Sequence, residues 1–157
     1  MSMIQRQLTI NATPEAIWAI VSDLQRGPAW MPDITQRVLE TDRPAGIGAR
    51  WREHGLLRGK PYSTVYEITE WLPPHRLAYR RAAVARGDYR WIESIHIEAA
   101  GAGAQVTAGL DYEMPGGLIG RLYDRFLFRK DFSLTLDNRL ERLKELLESE
   151  QSNKGAK

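Results

Sequence analysis

The sequence predicts an α+β fold in which a curved antiparallel sheet wraps around a long C-terminal helix. For about 80 residues after residue 35, apolar and polar side chains alternate, and Gly- and Pro-rich turns interrupt the pattern. From residue 118 to about 149 the chain has no proline, and Leu136, Leu140, Leu143 and Leu147 recur at helical spacing. The length of 157 residues suits one domain, which we place at residues 1–150, followed by a disordered tail at 151–157.

The N-terminal elements are a strand and two short helices. Residues 4–10 alternate as a strand does, and Thr13, Pro14 and Glu15 then form a typical helix start. Threonine caps the helix, proline suits its first turn, and glutamate favours its positive end. Residues 23–34 hold Gly27, Pro28 and Pro32, which predicts a broken second helix or a loop anchored by Trp30.

The sheet continues as six further strands joined by short connections. We place these strands at residues 36–41, 49–54, 62–71, 76–82, 89–98 and 105–114. Short connections between successive strands predict an antiparallel meander. The sequence Pro115-Gly116-Gly117 ends the sheet, and the long helix follows.

Composition excludes several classes of function. The net charge of +2, from 22 basic and 20 acidic residues, gives no reason to expect a nucleic-acid partner. The absence of cysteine excludes disulfides and thiolate chemistry, and the three histidines lack metal-binding spacing. We therefore expect no metal and no cofactor. The first ten residues do not resemble a signal peptide, and no segment is long and apolar enough for a membrane span, so we expect a cytoplasmic protein.

A strongly twisted sheet that grips a helix leaves a space between them unless large side chains fill it. Aromatic residues with polar tips dominate the inward strand positions, as is typical of ligand pockets. The alternative is that these rings fill a solid core. The residues that we expect to line a pocket are Trp30, Trp51, Glu53, Tyr66, Tyr79, Trp91, Glu93, Ile95, Tyr112, Phe126 and Arg129.

Glu93 is the candidate catalytic residue because it lies between Trp91 and Ile95 on an apolar strand face. A carboxylate in such surroundings has a raised pKa and can act as a general acid or base, helped by the hydroxyl of Tyr66 or Tyr79. The alternative is that Glu93 pairs with an arginine. On the long helix, Arg129 interrupts the apolar stripe and either orients a ligand or faces solvent.

Five segments carry a likeness to a known family, at residues 10–18 (INATPEAIW), 30–34 (WMPDI), 46–51 (GIGARW), 70–77 (EWLPPHRL) and 111–120 (DYEMPGGLIG). Together they resemble the START-related helix-grip superfamily, in particular its bacterial polyketide cyclase/dehydrase and lipid-transport branch. The resemblance spans nearly the whole chain. It implies a seven-stranded sheet, two small helices and a long terminal helix around a cavity for an apolar ligand. The superfamily has no universal catalytic motif, so the resemblance assigns no catalytic residue.

The leading functional hypothesis is binding, or transport, of a small hydrophobic or amphipathic ligand such as a lipid, quinone or polyketide. One alternative is an enzyme of the cyclase/dehydratase kind that uses the carboxylate of Glu93. A second alternative is a module whose exposed arginines bind a protein or RNA surface; these are Arg80, Arg81, Arg86 and Arg90, and on the long helix Arg121, Arg125 and Arg129. A monomer and a homodimer are both compatible with the sequence.

Overall fold

The computed structural model describes residues 2–82 and 89–155, and it confirms the predicted fold class. Seven antiparallel strands form one sheet in the order β1-β7-β6-β5-β4-β3-β2. The strands are β1 (Ser2–Ile10), β2 (Ile34–Leu39), β3 (Arg50–Leu57), β4 (Lys60–Leu72), β5 (Arg76–Arg81), β6 (Trp91–Ala100) and β7 (Gly103–Tyr112). Strands β2 to β7 form the predicted meander. Of the predicted arginine cluster, Arg86 lies outside the described residues.

The first strand lies at the far edge of the sheet from β2. It pairs with β7 over its full length, from Ser2 opposite Tyr112 to Ile10 opposite Ala104. Alternation within the chain carries no information about this pairing, because a period of two identifies a strand and not its partner. The chain therefore crosses from one edge of the sheet to the other between β1 and β2, and the two short helices make that crossing.

Helix α1 (Pro14–Val21) begins as the sequence predicts. The Thr13 hydroxyl accepts a hydrogen bond from the backbone N–H of Ala16 at 3.2 Å, and Pro14 occupies the first turn. Residues Ile17, Ile20 and Val21 are buried. A 3-10 turn (Leu24–Arg26) and the one-turn helix α2 (Gly27–Trp30) follow, so the second helix is short and broken. Helix α1 lies against β6, and helix α2 lies against β2 and the long C-terminal helix, so the two short helices pack at one end of the space between the sheet and that helix.

The C-terminal helical segment runs from Gly117 to Gly155 with one irregularity. Helix α3 (Gly117–Tyr123) continues through a π turn (Asp124–Phe128) into α4 (Arg129–Gly155). The helix extends to residue 155, where the sequence predicts a disordered tail. The buried side of α4 consists of Phe132, Leu136, Leu140, Leu143 and Leu147 with Arg139, and it lies against the concave side of the sheet. Within the described residues, no helix is both long enough and apolar enough to cross a bilayer.

Candidate functional site

A cavity of about 690 Å³ lies between the concave side of the sheet and the start of the long helix. Its walls come from the β3–β4 hairpin, from β5 and β6, and from the helical segment, with Asp33 at one side. The lining residues are Asp33, Leu56, Leu57, Arg58, Tyr62, Ser63, Thr64, Tyr66, Arg81, Trp91, Glu93, Tyr123, Phe128, Asp131, Phe132, Leu134, Thr135 and Arg139. The space between sheet and helix is therefore not filled by side chains.

Glu93 is buried in the wall of this cavity and accepts four hydrogen bonds. On Oε1, the Tyr66 hydroxyl donates at 3.2 Å and the Trp91 Nε1–H at 3.0 Å. On Oε2, the Tyr79 hydroxyl donates at 3.0 Å and Arg139 Nη1 at 2.8 Å. A carboxylate offers about four lone-pair sites, so the acceptor capacity of Glu93 is fully used.

Strand register places the donors around this carboxylate. Tyr79 on β5 is the direct cross-strand partner of Glu93 on β6, and Trp91 precedes Glu93 by two residues on the same face. Tyr66 comes from β4, the next strand across the sheet. The alternation that predicts Tyr66, Tyr79, Trp91 and Glu93 on the inward face is therefore correct for all four.

Arg139 connects the Glu93 cluster to a second carboxylate. Its Nε and Nη2 donate to the two oxygens of Asp33 at 2.8 and 2.5 Å, while Nη1 donates to Glu93. The guanidinium lies 5.7 Å from the ring centroid of Phe132. A planar guanidinium can hold two carboxylates at once because its donors point in fixed, divergent directions. Arg139 thus links α4 to β6 and to the segment that precedes β2.

The charge pair determines the protonation of the cluster. Burial alone would raise the pKa of Glu93, but the Arg139 charge and the hydrogen bonds from Trp91, Arg139 and Tyr79 outweigh it, so the pKa lies below its ordinary value of 4.5. For Arg139, burial lowers the pKa, but Glu93 and Asp33 outweigh it and the pKa is raised. Burial raises the pKa of Tyr66 and of Tyr79, so both hydroxyls stay protonated.

The expectation that Glu93 has a raised pKa is therefore wrong, and the alternative of an arginine partner is correct. The cation comes from Arg139 on the distant helix α4, and alternation along β6 alone does not place it beside Glu93. At neutral pH Glu93 is a charged acceptor with no proton to give.

Glu53 belongs to a second buried ion pair beside the cavity. Arg37 Nε donates to its Oε2 at 2.9 Å, Trp51 Nε1 donates to the same oxygen at 3.3 Å, and the Tyr62 hydroxyl donates to Oε1 at 3.0 Å. The Arg37 and Glu53 side chains are 2% and 1% exposed. Tyr62 separates Glu53 from the cavity, so Glu53 supports the wall and does not line it.

Aromatic rings form the apolar part of the wall. Trp91 meets Phe132 edge to face at 5.5 Å and Phe128 at 5.9 Å between ring centroids. The Arg81 guanidinium also packs on Trp91, 4.4 Å from the centroid of the Trp91 ring. Edge-to-face contacts fix ring orientation as well as burying area, which favours a preformed cavity.

Five other predicted site residues are buried but do not line the cavity. Trp51 and Tyr79 are buried directly behind the lining, where both rings pack on Tyr66. Ile95 and Trp30 are buried in the core and do not line the cavity. Tyr112 is buried against Asp124 and Phe128.

Phe126 and Arg129 do not face the cavity. Phe126 is exposed, and Arg129 donates from the surface to the backbone oxygen of Met3 at 2.8 Å. Counting back from Leu136 in steps of four, the buried positions are Phe132, Phe128, Asp124 and Gly120. The π turn adds one residue to a helical turn and keeps these positions on one side, which leaves Phe126 and Arg129 outside it.

Sequence reasoning missed Arg139, Asp33, Phe128 and Phe132. Arg139 had a detectable signal, because it occupies a position of the apolar stripe between Leu136 and Leu143 where a polar residue is unexpected. Asp33 had none, since it lies in a loop with no periodicity. Within residues 2–82 and 89–155, no three side chains of the metal-ligating types come together.

The comparisons with known proteins agree with this architecture. A protein from Thermus thermophilus superposes with a TM-score of 0.77 at 21% identity, covering 94% of this chain and 98% of that one. A START superfamily protein from Mycobacterium smegmatis gives 0.74 at 18% identity, with 94% and 97% covered. A protein from Deinococcus radiodurans gives 0.63 at 21%, with 92% and 95% covered. These likenesses concern the fold.

No curated protein matches the sequence. The profile of one family, described as polyketide cyclase / dehydrase and lipid transport, matches residues 1–148. The match covers β1 through most of α4, and therefore every element that forms the cavity. The chain belongs to the polyketide cyclase / dehydrase and lipid transport family.

Proposed function

We propose that the protein binds a small amphipathic molecule in the cavity between sheet and helix. The observation that carries the proposal is the unfilled volume of about 690 Å³, with aromatic rings on its wall. Cavities that hold small ligands span about 300–1,000 Å³ and combine apolar walls with a few polar groups. The lining of Trp91, Phe128 and Phe132 supplies the apolar part.

The polar groups that remain available favour a ligand with an oxygen acceptor. Arg81 Nε is buried and has no hydrogen-bond partner within the described residues. A buried donor without a partner is costly, and a ligand carbonyl, hydroxyl or carboxylate placed against Arg81 would satisfy it. The hydroxyls of Thr64 and Thr135 also line the cavity. Glu93, in contrast, already uses its acceptor capacity on its four donors, and Arg139 directs three of its five N–H groups to Glu93 and Asp33.

The same geometry weighs against the enzymatic alternative. Catalysis of a cyclisation or dehydration by Glu93 requires that carboxylate to take and give a proton. Its lowered pKa and its four donors stabilise the charged form throughout the neutral range. A carboxylate held in this way orients its neighbours and is a poor proton acceptor.

For the arginines near β5 and β6, the exposed-arginine alternative finds little support in the three that the structure describes. Arg90 pairs with Asp111 at 2.5 Å, and Arg80 lies 3.8 Å from Glu67. Arg81 covers the Trp91 ring. We therefore favour ligand binding over an arginine-mediated interaction through this region.

A pair of tryptophan substitutions on β4 tests the proposal. Thr64 lines the cavity, whereas the neighbouring Val65 points to the opposite face of the sheet. We expect Thr64→Trp to weaken binding of the apolar fluorophore N-phenyl-1-naphthylamine at least about tenfold, because the indole occupies its volume. Val65→Trp should leave the dissociation constant unchanged. Fluorescence titration measures both variants and the native chain.

The proposal fails if the native chain does not bind the fluorophore, or if both substitutions weaken binding equally. A separate experiment, mass spectrometry of organic extracts from the purified protein, identifies the class of the natural ligand. An oxygen-bearing amphipathic compound is expected, and recovery of none, together with no stabilisation by a library of such compounds, would contradict the proposal.

A further inference from the structure

Residues 117–130, apart from Phe128, carry their large apolar side chains at exposed positions. Gly120, Asp124 and Phe128 are buried, and they are spaced four residues apart. Leu118, Leu122 and Phe126, also spaced four apart, are exposed. This is the reverse of an ordinary surface helix, which buries its apolar stripe and presents polar groups to water.

The apolar side chains of this segment are strongly exposed. Leu118 is 70% exposed, Ile119 79% and Phe126 66%. We call Leu118, Ile119, Leu122 and Phe126 the outer α3 face. Isolated exposed apolar residues need no explanation, but contiguous ones on one side of a helix indicate an interaction surface.

The charges beside the outer α3 face have one sign. Residues 117–130 contain Arg121, Arg125, Arg129 and Lys130, and their single acidic residue, Asp124, is buried and bonded to Tyr112 and Ser2. Within the described residues, no ion pair engages Arg121, Arg125 or Lys130. The free cations therefore flank the apolar surface directly.

The outer α3 face adjoins the mouth of the cavity. Tyr123, at the end of α3, lines the cavity and is partly exposed, as are Leu56 and Leu57 of the β3–β4 hairpin and Leu134 of α4. Arg58 at the hairpin tip spans the mouth, donating to the Tyr123 hydroxyl at 3.0 Å and pairing with Asp131 at 3.1 Å. The rim thus combines exposed apolar side chains with one ion pair, and it lies on the side of the molecule where α3 presents its apolar residues.

We propose that the outer α3 face docks on an anionic lipid bilayer, so that the cavity exchanges its ligand with the bilayer through this rim. The exchange rests on the proposed function, whereas the docking does not. A helix with apolar residues on one face and arginines beside them binds in the interfacial region of a bilayer, and anionic headgroups complement the cations. A second copy of this chain fits less well, because two such surfaces would bring like charges together.

Co-sedimentation with vesicles tests the docking. Vesicles of phosphatidylcholine with one third phosphatidylglycerol should bind the native chain more tightly than phosphatidylcholine alone, and added salt should weaken binding. We expect the combined variant Leu118→Ser, Leu122→Ser and Phe126→Ser to lose at least about 100-fold in partitioning. Arg121→Gln with Arg125→Gln should lose about 30-fold, since each arginine near an anionic surface contributes about fivefold.

A control variant carries equivalent changes elsewhere on the surface. Val38→Ser with Leu72→Ser removes two other exposed apolar side chains, on β2 and β4, and should leave partitioning unchanged. Thermal melts and circular dichroism establish that each variant is folded, as expected for substitutions at exposed positions.

Three outcomes would overturn the docking proposal. They are no partitioning of the native chain, equal partitioning of the triple-serine variant, and a native dimer that the triple-serine variant converts to monomer. Fluorophore binding in solution, without vesicles, reports on the cavity alone. A chain that binds the fluorophore but no vesicles refutes docking only, and one that binds vesicles but no fluorophore refutes the cavity function only.

Discussion

Replacing Arg139 by methionine should lower the free energy of unfolding by about 3–5 kcal/mol at neutral pH. The substitution keeps most of the aliphatic volume but leaves Glu93 charged and buried without a cation. Asp33 also loses its partner, although its side chain is 20% exposed and water can solvate it. Urea denaturation followed by tryptophan fluorescence measures the difference.

Arg142→Met is the matched control. Arg142 lies less than one turn further along the same helix, its side chain is 59% exposed, and its ion pair with Glu145 is a surface pair. Exposed pairs contribute about 0–1 kcal/mol, so this variant should remain close to the native stability. Equal losses for the two substitutions would show that the buried cluster has no special energetic role.

The pH dependence of the Arg139→Met variant provides a second readout. In the native chain the pKa of Glu93 is depressed, so its contribution to stability is present above the ordinary value of 4.5 and is lost as the pH falls through the lower folded value. Without Arg139, burial dominates and the folded pKa rises above 4.5, so protonation relieves the buried charge as the pH falls. The stability difference between native chain and variant should therefore shrink from pH 7.5 to pH 5.

A double variant separates the loss of the cation from other effects of the substitution. Adding Glu93→Gln to Arg139→Met removes the uncompensated charge, and the double variant should be more stable than Arg139→Met alone at pH 7.5. A further loss of stability would mean that the carboxylate is held by its tyrosine and tryptophan donors and not by the ion pair.

Gly120→Ala should lower the free energy of unfolding by at least about 2 kcal/mol. A Cβ atom on Gly120 would lie 1.9 Å from the carbonyl oxygen of Pro115, so helix α3 or the preceding turn must move. Alanine is otherwise the better helix former by roughly 1 kcal/mol, and the close approach reverses that preference. Thermal or urea unfolding measures the change.

Gly155→Ala serves as the control for this substitution. Gly155 ends α4, and a Cβ there has no neighbour within 4 Å. The control should be neutral or slightly more stable. If Gly120→Ala were equally benign, α3 would not need its close approach to the end of the sheet, and the orientation of the outer α3 face would be less firmly fixed than we infer.

The sequence predicts those parts of the structure that depend on local periodicity. Strand alternation places Tyr66, Trp91 and Glu93 on the concave side, and the Thr13-Pro14 helix start is correct. These predictions succeed because a side chain's face follows from a period of two along each strand, and helix caps follow from a few adjacent residues.

The remainder depends on interactions between distant segments. The cation beside Glu93 belongs to Arg139, which lies 46 positions further along the chain. The other partner of Arg139 is Asp33, which lies 106 positions before it. The π turn that moves Phe126 to the surface has no periodic signal of its own, because one inserted residue shifts the helical face without changing composition. Composition and spacing cannot supply this information without the packed structure.

The position of β1 at the outer edge of the sheet has a consequence for synthesis on the ribosome. Its partner β7 ends at residue 112, so β1 emerges from the exit tunnel well before the strand that covers its free edge. Domains in which paired strands lie far apart in the sequence fold slowly, because the entropy of loop closure must be overcome before the contacts between the strands form. The nascent chain therefore exposes an unpaired strand, the kind of segment that chaperones recognise, until most of its length has been translated.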